Sequence, residues 1–409
     1  MRRIILVFLV LLSGLLVHLL TRPPKLDGPD ILIVSIDGIS NSCLLPDGKM
    51  SSSSLRDLAQ RGAFFRNCTV ESPRTLSTHA TLWSGLSSHI HGVSGPENRM
   101  SSRIPLLAEQ FLLRGYRTAA FLTSPWLDST FGLDRGFEVY QNSYPLPNRR
   151  RQEPANTSPE EGQDRRGAEK TVESVIEWLG KLSAHERFFL GVHLCPGRNK
   201  PSENPDPAFW VSRLDQLLGA IIEALHANHR FLNTRIVVIG TSGRGLSPQN
   251  PAQVLERSCV PLLLAGFELA PNSVRDDAIG TLDLAPTLLS QFGFPHVLPG
   301  RNLLKKAKAS SGVLGNISKG GTVLRLGRRG LLESLDNSPP QIYVLDLDRG
   351  LFHVPAEGES PSAEELLRIG NQRRQELAIF REEHYPGLDS THPELGDRLR
   401  TLRSIGYLR

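Results

Sequence analysis

The sequence predicts an α/β protein with a mostly parallel central sheet, helices on both of its faces and a small C-terminal α+β portion. Three observations predict it. Continuous apolar, β-branched runs at Ile31–Ile36, Phe188–Leu194 and Arg235–Gly240 read as strands buried on both faces. Segments of helical spacing alternate with them through roughly residues 30 to 300, the pattern of a covered parallel sheet. The 409-residue length can bury a large core, and 39% hydrophobic against 22% charged content excludes wholesale disorder.

The first element is an apolar stretch. Arg2 and Arg3 precede Ile4–Leu20, a run interrupted only by Ser13, Gly14 and His18. Seventeen residues at 1.5 Å each extend about 26 Å, the low end of a membrane span. No A-x-A-like cleavage site follows, so an uncleaved anchor within residues 1–25 is favoured over a cleaved signal peptide or a core helix. The basic pair suggests an N-in orientation, blunted by Arg22 and Lys25, with the body periplasmic or extracellular.

After Pro23-Pro24 comes the Ile31–Ile36 strand, ending at Asp37-Gly38 and so presenting an acid at its carboxyl end. Leu55, Leu58 and Ala59 mark a short helix read as capped by Gly62. Leu106–Leu113 is a helix closed by Gly115, followed by a strand over Tyr116–Thr123. Val172, Val175, Ile176 and Leu179 have helical spacing, and Leu214, Leu217, Leu218, Ile221, Ile222 and Leu225 form the clearest amphipathic helix. Residues 148–168, rich in Arg, Glu, Pro and Ser, read as a solvated or disordered insertion within a domain of residues 30–310. A Lys, Ser and Gly-rich stretch at 305–322 separates that domain from a C-terminal portion, 323–409. There Ile342–Leu347 reads as a strand and Ala363–Glu383 as a charged helix, and no internal repeat is present.

Charge says little. The net value of +5 is spread along the chain, and without stacking aromatics it gives no case for nucleic acid. Cys43, Cys68, Cys195 and Cys259 are too dispersed for a zinc ribbon. A Cys43–Cys68 disulfide and buried free thiols both remain open.

Several ordered blocks carry a resemblance. They are Ile31–Asp37, Thr75–Gly85 with His89-Ile90-His91-Gly92-Val93, Gly115–Phe121, Phe131–Phe137, Val260–Leu264, Leu282–Leu289 and the ending Leu402–Leu408. In this order and spacing the chain resembles the sulfatase family of the alkaline-phosphatase superfamily, from about residue 30 to its end. The resemblance implies a hydrolase of sulfuric or phosphoric esters, in which a strand-end nucleophile attacks beside divalent metal ions. Such ions take hard oxygen ligands, so the chemistry needs clustered carboxylates.

On that resemblance Asp37 matches the first metal carboxylate, the single metal-ligand position retained, and Gly38 or Ser42 stands where a second acid often follows. Thr75 matches the nucleophile; its local alternative is a helix N-cap. Sulfatases carry cysteine or serine there, with proline two and arginine four residues later. Ser77 and His79 replace those two, so formylglycine chemistry is not expected, and Thr75 with His79 would be the catalytic candidates of a threonine-using phosphoesterase. His89 and His91 belong to a structural turn. The loop after His193-Leu194 offers Arg198 and Lys200 in place of an aspartate–histidine pair, and Gln249–Arg257 holds no substrate-touching histidine or lysine.

The largest departure follows Val237–Gly240. The family places an aspartate and a histidine on the metal there, and this chain has Gly243 and Arg244. One carboxylate cannot supply the roughly six ligands a divalent ion takes. The expectation is a membrane-tethered sulfatase-like protein with impaired or lost metal-dependent hydrolysis, with no cofactor. It would bind an anionic small molecule, polymer or partner through Arg244 and Arg198. The alternative is an active ester hydrolase using Thr75, with Ca, Mg, Mn or Zn held by residues not evident in the sequence.

Overall fold

A computed structural model describes residues 28–45, 50–142, 163–195, 207–243, 251–305, 313–316, 322–333, 340–347, 351–355 and 362–389. The main sheet contains β1 (Asp30–Ile36), β2 (Gly62–Thr69), β3 (Arg117–Leu122), β4 (Val139–Asn142), β5 (Phe188–Leu194), β6 (Thr234–Gly240), β7 (Cys259–Ala265), β8 (Ser273–Arg275) and β9 (Ile279–Gly280). Its order is β4-β3-β5-β1-β6-β7-β2-β8, with β9 also on β2. Only β7 runs against its neighbours β6 and β2. The apolar runs are therefore central strands: β1 pairs with β5 on one side and β6 on the other.

Helices cover both faces, as the alternation predicts. They are α1 (Ser53–Ala59), α2 (Thr75–Ser84), α3 (Ser88–His91), α4 (Leu107–Leu112), α5 (Gln163–Lys181), α6 (Pro207–Ala227), α7 (Pro251–Ser258), α8 (Leu284–Gln291) and α9 (Ala363–His384). The two-residue period of β1 divides the core. Ile31 and Ile33 pack with Ala80, Trp83, Phe111 and Leu288 from α2, α4 and α8. Leu32, Val34 and Ile36 pack with Leu55, Val175 and Leu218 from α1, α5 and α6.

A second, antiparallel sheet follows in simple meander order: β10 (Val313–Asn316), β11 (Thr322–Leu326), β12 (Arg329–Glu333), β13 (Gln341–Asp346) and β14 (Leu351–His353). Its Leu314, Leu324 and Leu331 join the main core together with Leu366 and Leu377 of α9.

Three expectations need correction. Gly62 opens β2 rather than capping α1, whose C-cap is Gln60. The end of the 148–168 insertion belongs to α5, and Ala168 is buried there. The 305–322 separator contains β10, because Val313 and Leu314 have apolar partners to cover. Of the two readings open for the cysteines, free thiols hold: Cys43 accepts from Ser40 in a short helical turn, while Cys68 lies in the core beside Cys259 and Arg325. The proposed anchor at residues 4–20 lies outside the described residues. Among the described residues no helix is long and apolar enough to cross a membrane.

Candidate functional site

Strand register brings the site together. Ile36 is level with Leu194 of β5 and Gly240 of β6. Asp37 N–H donates to Leu194 O at 3.0 Å, and Thr241 N–H donates to Ile36 O at 2.9 Å. The carboxyl ends of three central strands thus present Asp37, Cys195 and Thr241 side by side, the usual place for a ligand crevice in an open α/β sheet.

The Asp37 carboxylate is already engaged. Ser242 Oγ donates to its Oδ1 at 2.8 Å, and Thr241 Oγ1 lies 3.2 Å from the same oxygen. Helix α2 is docked against this group. Thr78 Oγ1 lies 3.0 Å from Thr241 O and 2.9 Å from Ser72 O, which ties the first turn of α2 to the end of β6. Gly85, in the left-handed region at φ 70°, ends the helix.

Thr75 is the first residue inside α2, and Arg74 occupies the N-cap, so the N-cap alternative for Thr75 does not hold. Its side chain is largely buried. The start of α2, tied to the end of β6 through Thr78, carries backbone N–H groups without intrahelical partners, a setting that favours negative charge.

His79 sits one turn further along, fully buried, with both ring nitrogens in use. Nδ1 is 2.7 Å from Thr75 O and Nε2 is 2.8 Å from Ser35 Oγ, which is in turn 3.1 Å from His193 Nδ1. A carbonyl only accepts, so Nδ1 of His79 carries the proton and Nε2 receives the Ser35 hydroxyl. Ser35 Oγ then accepts from His193 Nδ1–H. Burial, followed by the neighbouring His193, pushes His79 well below the usual histidine range and keeps the ring neutral. The imidazole reaches the backbone oxygen of Thr75, not its hydroxyl.

The turn that follows is also satisfied internally. Val93 N–H donates to His91 Nδ1 at 2.9 Å, which leaves Nε2–H for Thr81 Oγ1 at 3.1 Å. Burial takes His91 down to about 3. Glu71, an acid buried four residues before Thr75, stands out in no sequence pattern. It accepts from Ser88 N–H at 2.7 Å, and burial raises it to about 7.

Arg198, Lys200 and Arg244 lie outside the described residues. The residues that are described do not fit a divalent cation. Oδ1 of Asp37 is occupied by two hydroxyls, and no group of three or more His, Cys, Asp or Glu side chains converges among the described residues. Hydroxyls and amides alone lack the charge that holds such an ion.

Comparison with known proteins agrees with this architecture. No protein-family model matches the sequence. Arylsulfatase K of Xenopus laevis is 23% identical in an alignment covering 72% of this chain and 69% of that protein. The solved structure of a 2-O GAG sulfatase superposes with a TM-score of 0.67 at 18% identity, covering 90% of this chain and 96% of that one. The phosphonate monoester hydrolase of Agrobacterium radiobacter superposes with a TM-score of 0.64 at 17% identity, covering 87% and 96%. With the parallel strand order, the level strand ends and the helix that starts at Thr75, these likenesses establish that the chain has the sulfatase fold of the alkaline-phosphatase superfamily.

Proposed function

We propose that the protein is a sulfatase-fold binding protein that holds an anionic ligand at the strand ends without metal-dependent ester hydrolysis. One observation carries the reading: one oxygen of the Asp37 carboxylate already accepts from Ser242 and lies beside the Thr241 hydroxyl, and among the described residues no further cluster of acids or histidines joins it. The N-terminus of α2 supplies partial positive charge, and Arg244 and Arg198 supply full charges. A sulfated glycan is the first ligand class to try, because one structural relative is a 2-O GAG sulfatase. We also propose that residues 4–20 tether the body on the extracytoplasmic side of a membrane.

The test pairs metal analysis with binding and turnover. Purified protein dialysed against Ca, Mg, Mn and Zn is expected to retain background metal and to leave aryl sulfate and aryl phosphate intact. Isothermal titration with sulfated oligosaccharides is expected to show binding that weakens in Arg244→Ala. Stoichiometric metal, with turnover abolished by Thr75→Ala, would instead establish an ester hydrolase that uses Thr75. That second reading is favoured by the position of Thr75 at the start of α2, beside the β6 end.

A further inference from the structure

We infer that residues 241–243 form a latch that closes the former metal cradle, and that a side chain at position 243 is excluded by backbone rather than merely missing. The inference rests on the non-metal reading above and explains why that state is fixed. One end of the latch is the pair of hydroxyls on Asp37. The other end is Gly243, whose N–H donates to Arg257 O at 2.8 Å near the C-terminal end of α7.

The approach at that point is close. A Cβ on Gly243 would stand 2.4 Å from Glu256 O and 3.1 Å from Arg257 Cα, both main-chain atoms. Gly243 is not among the glycines with positive φ, so the position demands glycine for space and not for its dihedral angles. A flexible side chain could swing away from such a contact, but a main chain cannot.

Helix α7 has nowhere to retreat. Val70 N–H donates to Ser258 O at 2.8 Å, so the end of α7 is fastened to the chain leaving β2. Leu255 is fully buried among Val323, Leu332, Leu345 and Phe352 of the second sheet. Cys259, directly after α7, begins β7. An aspartate at 243 would therefore have to displace a helix held by both sheets before its carboxylate reached the strand ends. In this chain loss of the ligand and closure of the site are one structural change.

Four full-length variants test the latch: Gly243→Ala, Gly243→Asp, Gly243→Asp with Arg244→His, and Gly180→Ala. The last is a control, since a Cβ at Gly180 meets nothing within 4 Å. Gly243→Ala is expected to melt lower by about 4 °C or more, while Gly180→Ala does not. The double variant is expected to melt lower still and to carry no more metal than the unaltered chain. Near-stoichiometric metal in the double variant, or an unchanged melting temperature in Gly243→Ala, would overturn the latch. If the aspartate variants fail to fold, the alanine variant decides alone. Metal in the unaltered protein would sink the non-metal reading itself; metal in the double variant alone would sink only the latch.

Discussion

Ser242 donates its hydroxyl to Asp37 across the ends of β6 and β1, at 2.8 Å, and Thr241 adds a second hydroxyl at 3.2 Å. This makes Asp37 an anchor for a loop. Asp37→Ala is expected to lower stability by about 2 kcal/mol, because two hydroxyls lose a charged acceptor. Asp37→Asn keeps an acceptor oxygen and is expected to cost about 1 kcal/mol. If the carboxylate held an ion, a chelator would lower the melting temperature of the unaltered protein. The expected shift with EDTA is zero, read by thermal melts with and without it.

The His193–Ser35–His79 chain makes a second prediction. Its bond directions require a neutral His79 with the proton on Nδ1. Imidazole 15N spectra are expected to show a pyrrole-like Nδ1 and a pyridine-like Nε2 at His79, unchanged between pH 5 and pH 8. A ring that titrates near the ordinary histidine value would place His79 outside this chain. His79→Ala is expected to cost about 3 kcal/mol or more, from the cavity and the stranded Ser35 hydroxyl together.

Glu71 supplies a pH signature. Burial raises its carboxyl from 4.5 to about 7, so the fold prefers the protonated form. Its contribution is fully present below pH 4.5, where both folded and unfolded states are protonated, and is lost as pH rises toward 7. At 1.36 kcal/mol per unit the swing is about 3 kcal/mol. His91, lowered from 6.5 to about 3, works in the opposite direction, losing stability as pH falls through that interval. The quantity to measure is therefore the stability difference between Glu71→Gln and the unaltered protein. It is expected to grow in favour of the glutamine variant from pH 4.5 to pH 7, and a flat difference would show Glu71 ionised throughout.

Legibility followed sequence distance. The central strands β1, β5 and β6 declare themselves as apolar runs because both of their faces are covered. Strand β2 does not, since Arg66 and Asn67 interrupt it and their partners, Asp276 and Arg325, lie far along the chain. The shortage of ligands at the site was visible in Gly243 and Arg244, in Gly38 or Ser42 where a second acid often stands, and in the loop after Leu194. What fills the space was not, because the contact depends on the placement of α7. His79 was legible as a departure from a family arginine, but its partner Ser35 is 44 residues away and belongs to a strand whose other inward residues are aliphatic.

Arg325 was also invisible to pattern reading, and it carries the last prediction. On a strand rich in leucine it reads as a solvated residue, yet its side chain is fully buried between the two sheets. It donates to Asn67 Oδ1, interacts with the Cys259 thiol and lies over the Phe352 ring at 4.5 Å, while among the described residues its Nε and Nη1 have no oxygen or nitrogen partner. Among the described residues its ionisable neighbours are the thiols of Cys259 and Cys68, not a carboxylate, and burial pushes the guanidinium below its ordinary range. A buried cation without an acid is costly, and an apolar side chain of similar length often replaces one without loss. Arg325→Met is therefore expected to leave the melting temperature unchanged or raise it, although Asn67 loses one donor. Arg325→Ala, which also empties the space beside Phe352, is expected to lower it by about 2 kcal/mol or more. If methionine proves as damaging as alanine, the guanidinium charge itself holds the second sheet to the first.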